Sequence, residues 1–265
     1  MSASVPVFAA PSPRVRLVDV DRPWIWLALG WRDLVAAPRV SLTYGAILVA
    51  MSYALVVGLA AADLLYLLLP LLAGFGFLAP LLAVGLYETS RRLQAGEPAA
   101  LAAALFAWRR HGGQLALMGL VLMLFHLAWV RVATLLFALF FEEGAIAFPQ
   151  LIELLFFSAR GLPFVIVGAV IGAALATLVF ALSAVSIPIL LERDVDVITA
   201  MVTSFAAVRQ NARPMALWAG LIALFTVFGL GFFMVGLAVV LPLLGHATWH
   251  AYKEIVEYAY KEIVE

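Results

Sequence analysis

The residues whose type and spacing best suit chemistry are His246 and His250, near the carboxyl end of the chain. Four residues apart on a helix, their imidazoles face the same side and have the spacing to ligate one metal ion or haem groups. The run HATWH lacks the glutamate of a hydrolytic HExxH zinc site, and no nearby residue supplies an obvious third ligand. We therefore expect structural histidines, anchored at the membrane interface by lipid phosphate or a neighbouring carboxylate. A metal or haem site and a pH-sensitive contact are the alternatives.

A second set of polar residues follows Pro80, Pro188 and Pro242, each of which precedes an aliphatic residue and a leucine. At four or eight residues after these prolines lie Glu88, Glu192, Asp196, His246 and His250. If the three segments pack together, these side chains gather at the inner membrane face, where they could receive a cation or relay protons. The alternative is that helices leaving a membrane simply become polar at comparable depth.

Two further polar residues, His126 and Arg131, lie within an apolar run. An isolated charge in hydrocarbon costs a few kcal/mol, so such residues are usually paired. If the helix ends near Thr134, Arg131 instead extends to the outer interface and pairs with Glu142 or Glu143.

The composition identifies the environment in which these residues must be positioned. The chain is 66% hydrophobic and 12% charged, with a mean hydropathy of +1.10, which excludes a water-soluble globule. Its formal net charge of zero disfavours nucleic-acid binding. The lack of cysteine excludes a disulfide framework and thiolate metal sites.

Four apolar stretches are long enough for membrane helices, which need about 20 residues to cross the hydrocarbon core. They are residues 41–88, 114–141, 162–191 and 215–252. Asp63 divides the first into a hairpin, and Gly229 and Gly231 mark a turn in the last. The sequence thus predicts an all-α, polytopic membrane bundle of six transmembrane helices, with five as the alternative.

The distribution of basic residues predicts the orientation of these helices. With six spans, every lysine and arginine except Arg131 and Arg160 lies on one side of the membrane. Because basic residues favour cytoplasmic loops, we expect both termini in the cytoplasm and Asp63 and Glu142 in the periplasm.

Three amphipathic segments suggest a repeated unit of interfacial helix, outward helix and inward helix. They are residues 24–37, 99–110 and 197–210. The predicted organisation is a polar cytoplasmic segment (1–23) and one transmembrane domain (24–257). The domain comprises repeats 24–96, 97–194 and 195–257. Residues 258–265 follow. They contain a second copy of the run AYKEIVE, which first occurs at 251–257, and this copy is either an artefact or a natural extension. A generic bundle without repeats is the alternative.

Several stretches resemble the DUF2189 family of predicted bacterial integral membrane proteins. They are the GW pair at 30–31, APLLAVGLYETSRRLQAGE at 79–97, SIPILLERDVDVITAMVTSFAAV at 186–208 and PLLGHATWHAY at 242–252. The resemblance implies a multi-pass protein of the bacterial inner membrane but no activity. Some members carry the label of putative cytochrome c oxidase subunit. Haem–copper catalytic subunits use six histidine ligands, whereas this chain has four histidines, so we expect no oxidase chemistry.

The sequence contains no serine-nucleophile elbow, phosphate-binding glycine loop or paired catalytic carboxylates. We therefore expect no catalytic residues and no resident cofactor. The function that fits best is a non-enzymatic scaffold, assembly factor or accessory subunit of a larger inner-membrane complex. Its partners would be the lipid bilayer and other membrane subunits, a terminal oxidase or respiratory complex among them. A small transporter or channel and a haem- or metal-binding membrane protein are the alternatives.

Overall fold

A computed structural model describes residues 13–141 and 148–258. The α-helices in chain order are α1 (Arg22–Ala36), α2 (Pro38–Ala61), α3 (Leu68–Leu82), α4 (Val84–Gln94), α5 (Leu101–Leu105), α6 (Gly112–Phe140), α7 (Phe148–Phe157), α8 (Gly161–Ser183), α9 (Ser186–Glu192), α10 (Val197–Gln210), α11 (Ala212–Gly231) and α12 (Leu237–Ile255). Short 3₁₀ helices occupy Leu65–Leu67 and Ala107–Arg109, and the strands are β1 (Pro13–Val15) and β2 (Val256–Tyr258). The predicted all-α polytopic bundle is confirmed.

Among the described residues, five helical stretches are long and apolar enough to cross a membrane. They are Pro38–Ala61, Leu65–Gln94, Gly112–Phe140, Gly161–Glu192 and Ala212–Gly231, with hydropathies of 1.8 to 2.6. At most 28% of the residues in their most apolar windows are buried inside the protein. The remaining residues are partly or fully exposed, as expected of helices in contact with lipid, because hydrocarbon solvates apolar side chains as well as a protein core would.

The last apolar stretch forms two helices, α11 and α12, which pack against each other. The chain reverses at residues 232–236, where Phe233 and Met234 adopt left-handed φ angles of 52° and 64°. The turn follows Gly229 and Gly231, near which it was predicted. Gly229 itself lets the two helices approach closely, because a Cβ on Gly236 would lie 2.9 Å from the Cα of Gly229. Six spans are not confirmed, since α12 becomes polar after Gly245 and is not among the five candidates.

Each predicted amphipathic segment precedes a pair of longer apolar helical stretches, as in the predicted unit, but the repeat and the direction of each helix stay predictions. Pro80 and Pro188 lie near helix breaks, at Ala83 and at residues 184–185. Pro242, by contrast, lies inside the continuous helix α12. The three prolines therefore do not produce one shared kink.

Helix α12 lies at the centre of the bundle, against α1, α2, α4 and α11. Two glycines permit this packing because their hydrogen atoms face the backbone of α12. A Cβ on Gly30 would lie 2.6 Å from the Ala247 nitrogen, and one on Gly45 would lie 2.2 Å from the Ala238 oxygen. Any larger residue at either position must push the helices apart.

The two ends of the described chain lie side by side. Strands β1 and β2 pair in antiparallel register, with Arg14 opposite Glu257. The Arg16 amide continues the pairing by donating to the Ile255 carbonyl at 2.8 Å. Asn211 donates to the Arg16 carbonyl at 3.0 Å and accepts from the Val18 amide at 2.9 Å. Residues 1–12, Glu142, Glu143 and the tail beyond Tyr258 lie outside the described residues.

Two of the predicted amphipathic segments form the helices α1 and α10, and the segment 99–110 contains α5 and a 3₁₀ helix. Each leaves apolar side chains uncovered by the protein. In α1 these are Trp24, Trp31 and Val35, which are 53–57% exposed. Phe106 and Trp108 follow α5, and α10 contributes Ile198, Val202 and Phe205. Each segment directly precedes a candidate span, as expected of helices that lie at the headgroup layer.

Candidate functional site

The most polar buried region of the described chain lies where α1, α2, α4 and α12 meet. Its members are Asp33, Ser41, Ser90, His246 and His250, none of which is more than 6% exposed. We call these five residues the polar network. Side chains that are this polar remain buried only where they satisfy one another.

His246 lies between two serines. Its Nε2 is 2.9 Å from Ser41 Oγ, and its Nδ1 is 2.8 Å from Ser90 Oγ. Ser90 also donates to Asp33 Oδ2 at 2.7 Å, so its oxygen is free to accept from Nδ1–H. Ser41 can then donate to Nε2, which satisfies a neutral imidazole completely.

His250 reaches the same carboxylate oxygen from the other side. Its Nε2 is 2.8 Å from Asp33 Oδ2, and its Nδ1 is 3.2 Å from Gln94 Nε2. Gln94 in turn accepts from Trp249 Nε1 at 2.9 Å. Two hydrogen-bonded chains therefore converge on Asp33, and both imidazoles are satisfied in the neutral form.

The charge of the network resides on Asp33. Burial by itself would raise the pKa of this carboxyl group. The hydrogen bonds that the carboxylate accepts from His250 and Ser90 work against burial, and the pKa lies below its ordinary value. The network therefore contains a stable carboxylate on α1, which is the common acceptor for side chains of two other helices, α4 and α12.

This arrangement joins helices and differs from a hydrolytic triad. In a triad, a histidine lies between the nucleophilic serine and the carboxylate. Here Ser90 donates directly to Asp33, and His246 contacts serines on both sides. The geometry thus fixes α1, α2, α4 and α12 relative to one another.

The predicted cluster residues occupy different local environments. His246 and His250 share the network, where they are buried rather than placed among headgroups, and the carboxylate between them is Asp33. Glu88 accepts two hydrogen bonds from Arg91, both at 2.8 Å. Glu192 accepts from Tyr252 at 2.6 Å and from Lys253 at 2.9 Å.

Asp196 lies apart as the exposed N-cap of α10, accepting from the Thr199 amide at 2.8 Å. Its role is to satisfy a free amide in the first turn of that helix.

The intramembrane residues His126 and Arg131 also differ in their surroundings. His126 is buried, and its Nδ1 lies 3.0 Å from the Gly74 carbonyl of α3. Trp129 donates to the Pro70 carbonyl at 2.8 Å, one turn along the same interface. Arg131 is exposed on α6, and its predicted partners Glu142 and Glu143 lie outside the described residues.

Within the described residues, no group of three or more histidine or acidic side chains could hold a metal ion. All four ring nitrogens of His246 and His250 have hydrogen-bond partners inside the protein. A metal or haem iron would have to displace at least one of these bonds.

Sequence reasoning missed Asp33, Ser41, Ser90 and Gln94. Asp33 had a detectable signal, because Trp26, Gly30 and Asp33 share one helical face, and this face packs on α12. The serines had no such signal, because isolated serines are common in membrane helices and bond to their own backbone.

A comparison with models of known protein families gave a match to the middle of the chain. Residues 68–192 match a model described as a predicted integral membrane protein, DUF2189. This region resembles DUF2189 proteins. The match begins at the first residue of α3 and ends at the last residue of α9. The DUF2189 resemblance predicted from the sequence is thereby confirmed over just under half of the chain.

The DUF2189 region contains Ser90 and Gln94 but not Asp33, Ser41 or the two network histidines. The network therefore joins the matched region to helices on either side of it. Neither curated proteins nor solved structures gave a match to the chain.

Proposed function

We propose that this integral membrane protein is a non-enzymatic scaffold, assembly factor or accessory subunit that binds a transmembrane helix of a larger complex. The observation that carries the proposal is an apolar groove of about 260 Å³ formed by α3, α6 and α8. We call it the small-residue groove. It is lined by Ala73, Phe77, Trp129, Gly168, Ala169, Gly172, Ala173 and Ala176.

The shape of the small-residue groove favours a helix as its occupant. Gly168, Gly172 and Ala176 recur at four-residue intervals, so they share one face of α8. A Cβ on Gly168 would meet no atom of this chain within 4 Å, whereas one on Gly172 would meet the Trp129 ring at 3.0 Å. Small residues at this spacing allow helix backbones to approach closely, which is how membrane helices associate without a hydrophobic driving force.

The polar network supports the non-enzymatic part of the proposal. Its hydrogen-bonding groups are occupied by one another, and its geometry fixes helices instead of presenting a nucleophile. The function that remains is to hold a shaped surface in the bilayer.

Replacing Gly168 with isoleucine is expected to abolish association with the partner helix while leaving the chain folded, because a Cβ at this position meets no other residue of the chain and the larger side chain extends into the groove. The matched control is Gly220→Ile, since Gly220 also faces open space but lies on α11. Each variant would be purified natively in mild detergent, and co-purifying subunits would be quantified. A stoichiometric partner retained by G168I would contradict the proposal.

We also propose that the chain has no resident cofactor, which the engaged imidazoles support. The purified protein should show no Soret absorbance and no stoichiometric metal. The double substitution His246→Gln and His250→Gln keeps hydrogen-bonding groups but supplies poor ligands, so the chain should remain inserted with an unchanged spectrum. A Soret band in the wild type that disappears in this variant would overturn the proposal.

For location, we propose the bacterial inner membrane with both termini in the cytoplasm. The excess of arginine before the spans and the pairing of β1 with β2 support this orientation. A small transporter or channel is the second candidate, favoured by a buried acid and two histidines in an otherwise apolar chain. Purification without a partner, together with ion flux in liposomes, would favour that alternative.

A further inference from the structure

The turn between α11 and α12 has the wrong composition for a loop in water. Phe232, Phe233 and Val235 are 56%, 85% and 60% exposed. No polar side chain occurs from Val227 to Gly245. The α2–α3 and α7–α8 connections, in contrast, carry Asp63 and Arg160.

The position of the turn along α2 shows how deep it reaches. The Tyr53 hydroxyl of α2 donates to the Phe233 carbonyl. From Tyr53 to the end of α2 at Ala61 a helix advances about 12 Å. The turn therefore stops well short of the level at which α2 ends.

The other end of the hairpin lies at the interfacial helix α1. Trp218 of α11 packs edge-on against Trp26 of α1, with ring centroids 5.8 Å apart. From this contact to Gly231, α11 advances about 20 Å, and from its first residue, Ala212, it advances about 30 Å, which is the thickness of the hydrocarbon core. The depth of the turn is therefore indicated by its contact with Tyr53 and not by the length of α11.

Part of the backbone of the turn is paired inside the protein. Met234 donates to the Leu230 carbonyl at 3.2 Å, and Val235 donates to the Phe232 carbonyl at 3.0 Å. Tyr53 supplies a donor for the Phe233 carbonyl. These bonds replace some of the partners that water would supply to irregular backbone outside a bilayer.

The paired chain ends add an independent constraint. Because β1 joins β2, the residues before α2 and after α12 lie on the same side of the membrane, so the number of crossings between them is even. Five candidate spans give an odd number. The number becomes even if α12 is counted as a sixth crossing or if α11 is not counted as a crossing. The apolar turn, which stops short of the level at which α2 ends, favours the second choice.

We infer that α11 and α12 form a re-entrant hairpin, which enters and leaves through the same membrane face and holds its turn among lipid acyl chains. Four stretches then cross the membrane: α2, α3–α4, α6 and α8–α9. The partner of the exposed turn is the hydrocarbon interior of the bilayer.

The natural lack of cysteine makes the inference directly testable, with Val235→Cys as the probe. Val235 is exposed, so the smaller side chain removes little internal packing. Ala62→Cys and Ala95→Cys are matched controls, since they are exposed at opposite ends of the α2–α4 hairpin. An impermeant maleimide would be applied to sealed vesicles of each orientation.

The expected result is that each control reacts from one side only, whereas V235C reacts from neither side until detergent is added. A bimane group attached to V235C in detergent should, after reconstitution, be quenched by lipids brominated in mid-chain. Labelling of V235C from the A62C side would establish six crossings and overturn the inference. Labelling from the A95C side, or protection without lipid quenching, would place water or protein at the turn and would also overturn it.

Discussion

Replacing Asp33 with alanine is expected to lower the free energy of unfolding by about 3 kcal/mol, because removal of a buried charged partner leaves polar groups unsatisfied. Asp33 Oδ2 accepts from both Ser90 and His250, so one substitution removes a hydrogen bond from α1 to α4 and another from α1 to α12. The unfolding midpoint in a titration with denaturing detergent measures the effect. Asp21→Ala is the control, since Asp21 is exposed and its side chain does not cap α1.

The same residue predicts the direction of a pH dependence. The folded-state pKa of Asp33 is lowered, so its contribution to stability is complete above the ordinary carboxyl pKa and is lost as pH falls through the lowered value. Wild-type protein should therefore lose stability on acidification, whereas Asp33→Asn, which cannot titrate, should show a flatter profile. Equal stability of wild type and D33A would contradict the role assigned to the network.

Replacing Gly45 with valine is expected to destabilise the bundle by about 3 kcal/mol or more, because backbone cannot move aside as a flexible side chain can. The first added carbon would lie 2.2 Å from the Ala238 oxygen of α12. The fraction of monodisperse protein in mild detergent and the unfolding midpoint both report the loss. Ser41 lies four residues before Gly45 on α2, and its hydroxyl is 2.9 Å from His246 Nε2. The displacement should therefore also break this hydrogen bond.

Gly58→Val provides a control on the same helix. A Cβ on Gly58 would meet nothing within 4 Å, so the valine should contact only lipid. Both substitutions make an identical change in volume and helix propensity, and they differ only in what lies opposite. If G45V and G58V behave alike, close contact between α2 and α12 is not a determinant of the fold.

The membrane environment and the helical fold class followed from local information. Runs of about 20 apolar residues require helices, because a bilayer offers no other partner for backbone amides. Asp63 correctly indicated the first hairpin turn, because a charged side chain is costly in hydrocarbon and therefore favours the end of a span. The two helices after Met215 were also predicted, although Gly229, one of the two glycines that suggested the turn, serves close packing of α11 on α12.

The sequence by itself determined that this chain is an α-helical membrane protein with two polar residues on one face of α12, because hydropathy and helical periodicity are properties of neighbouring residues. Only the tertiary structure decided that His246 and His250 meet Asp33, Ser41 and Ser90 instead of Glu88 or Asp196. Such contacts join positions up to 217 residues apart. They depend on which helices approach closely enough, and the hydrogen atoms of Gly30 and Gly45 set that distance.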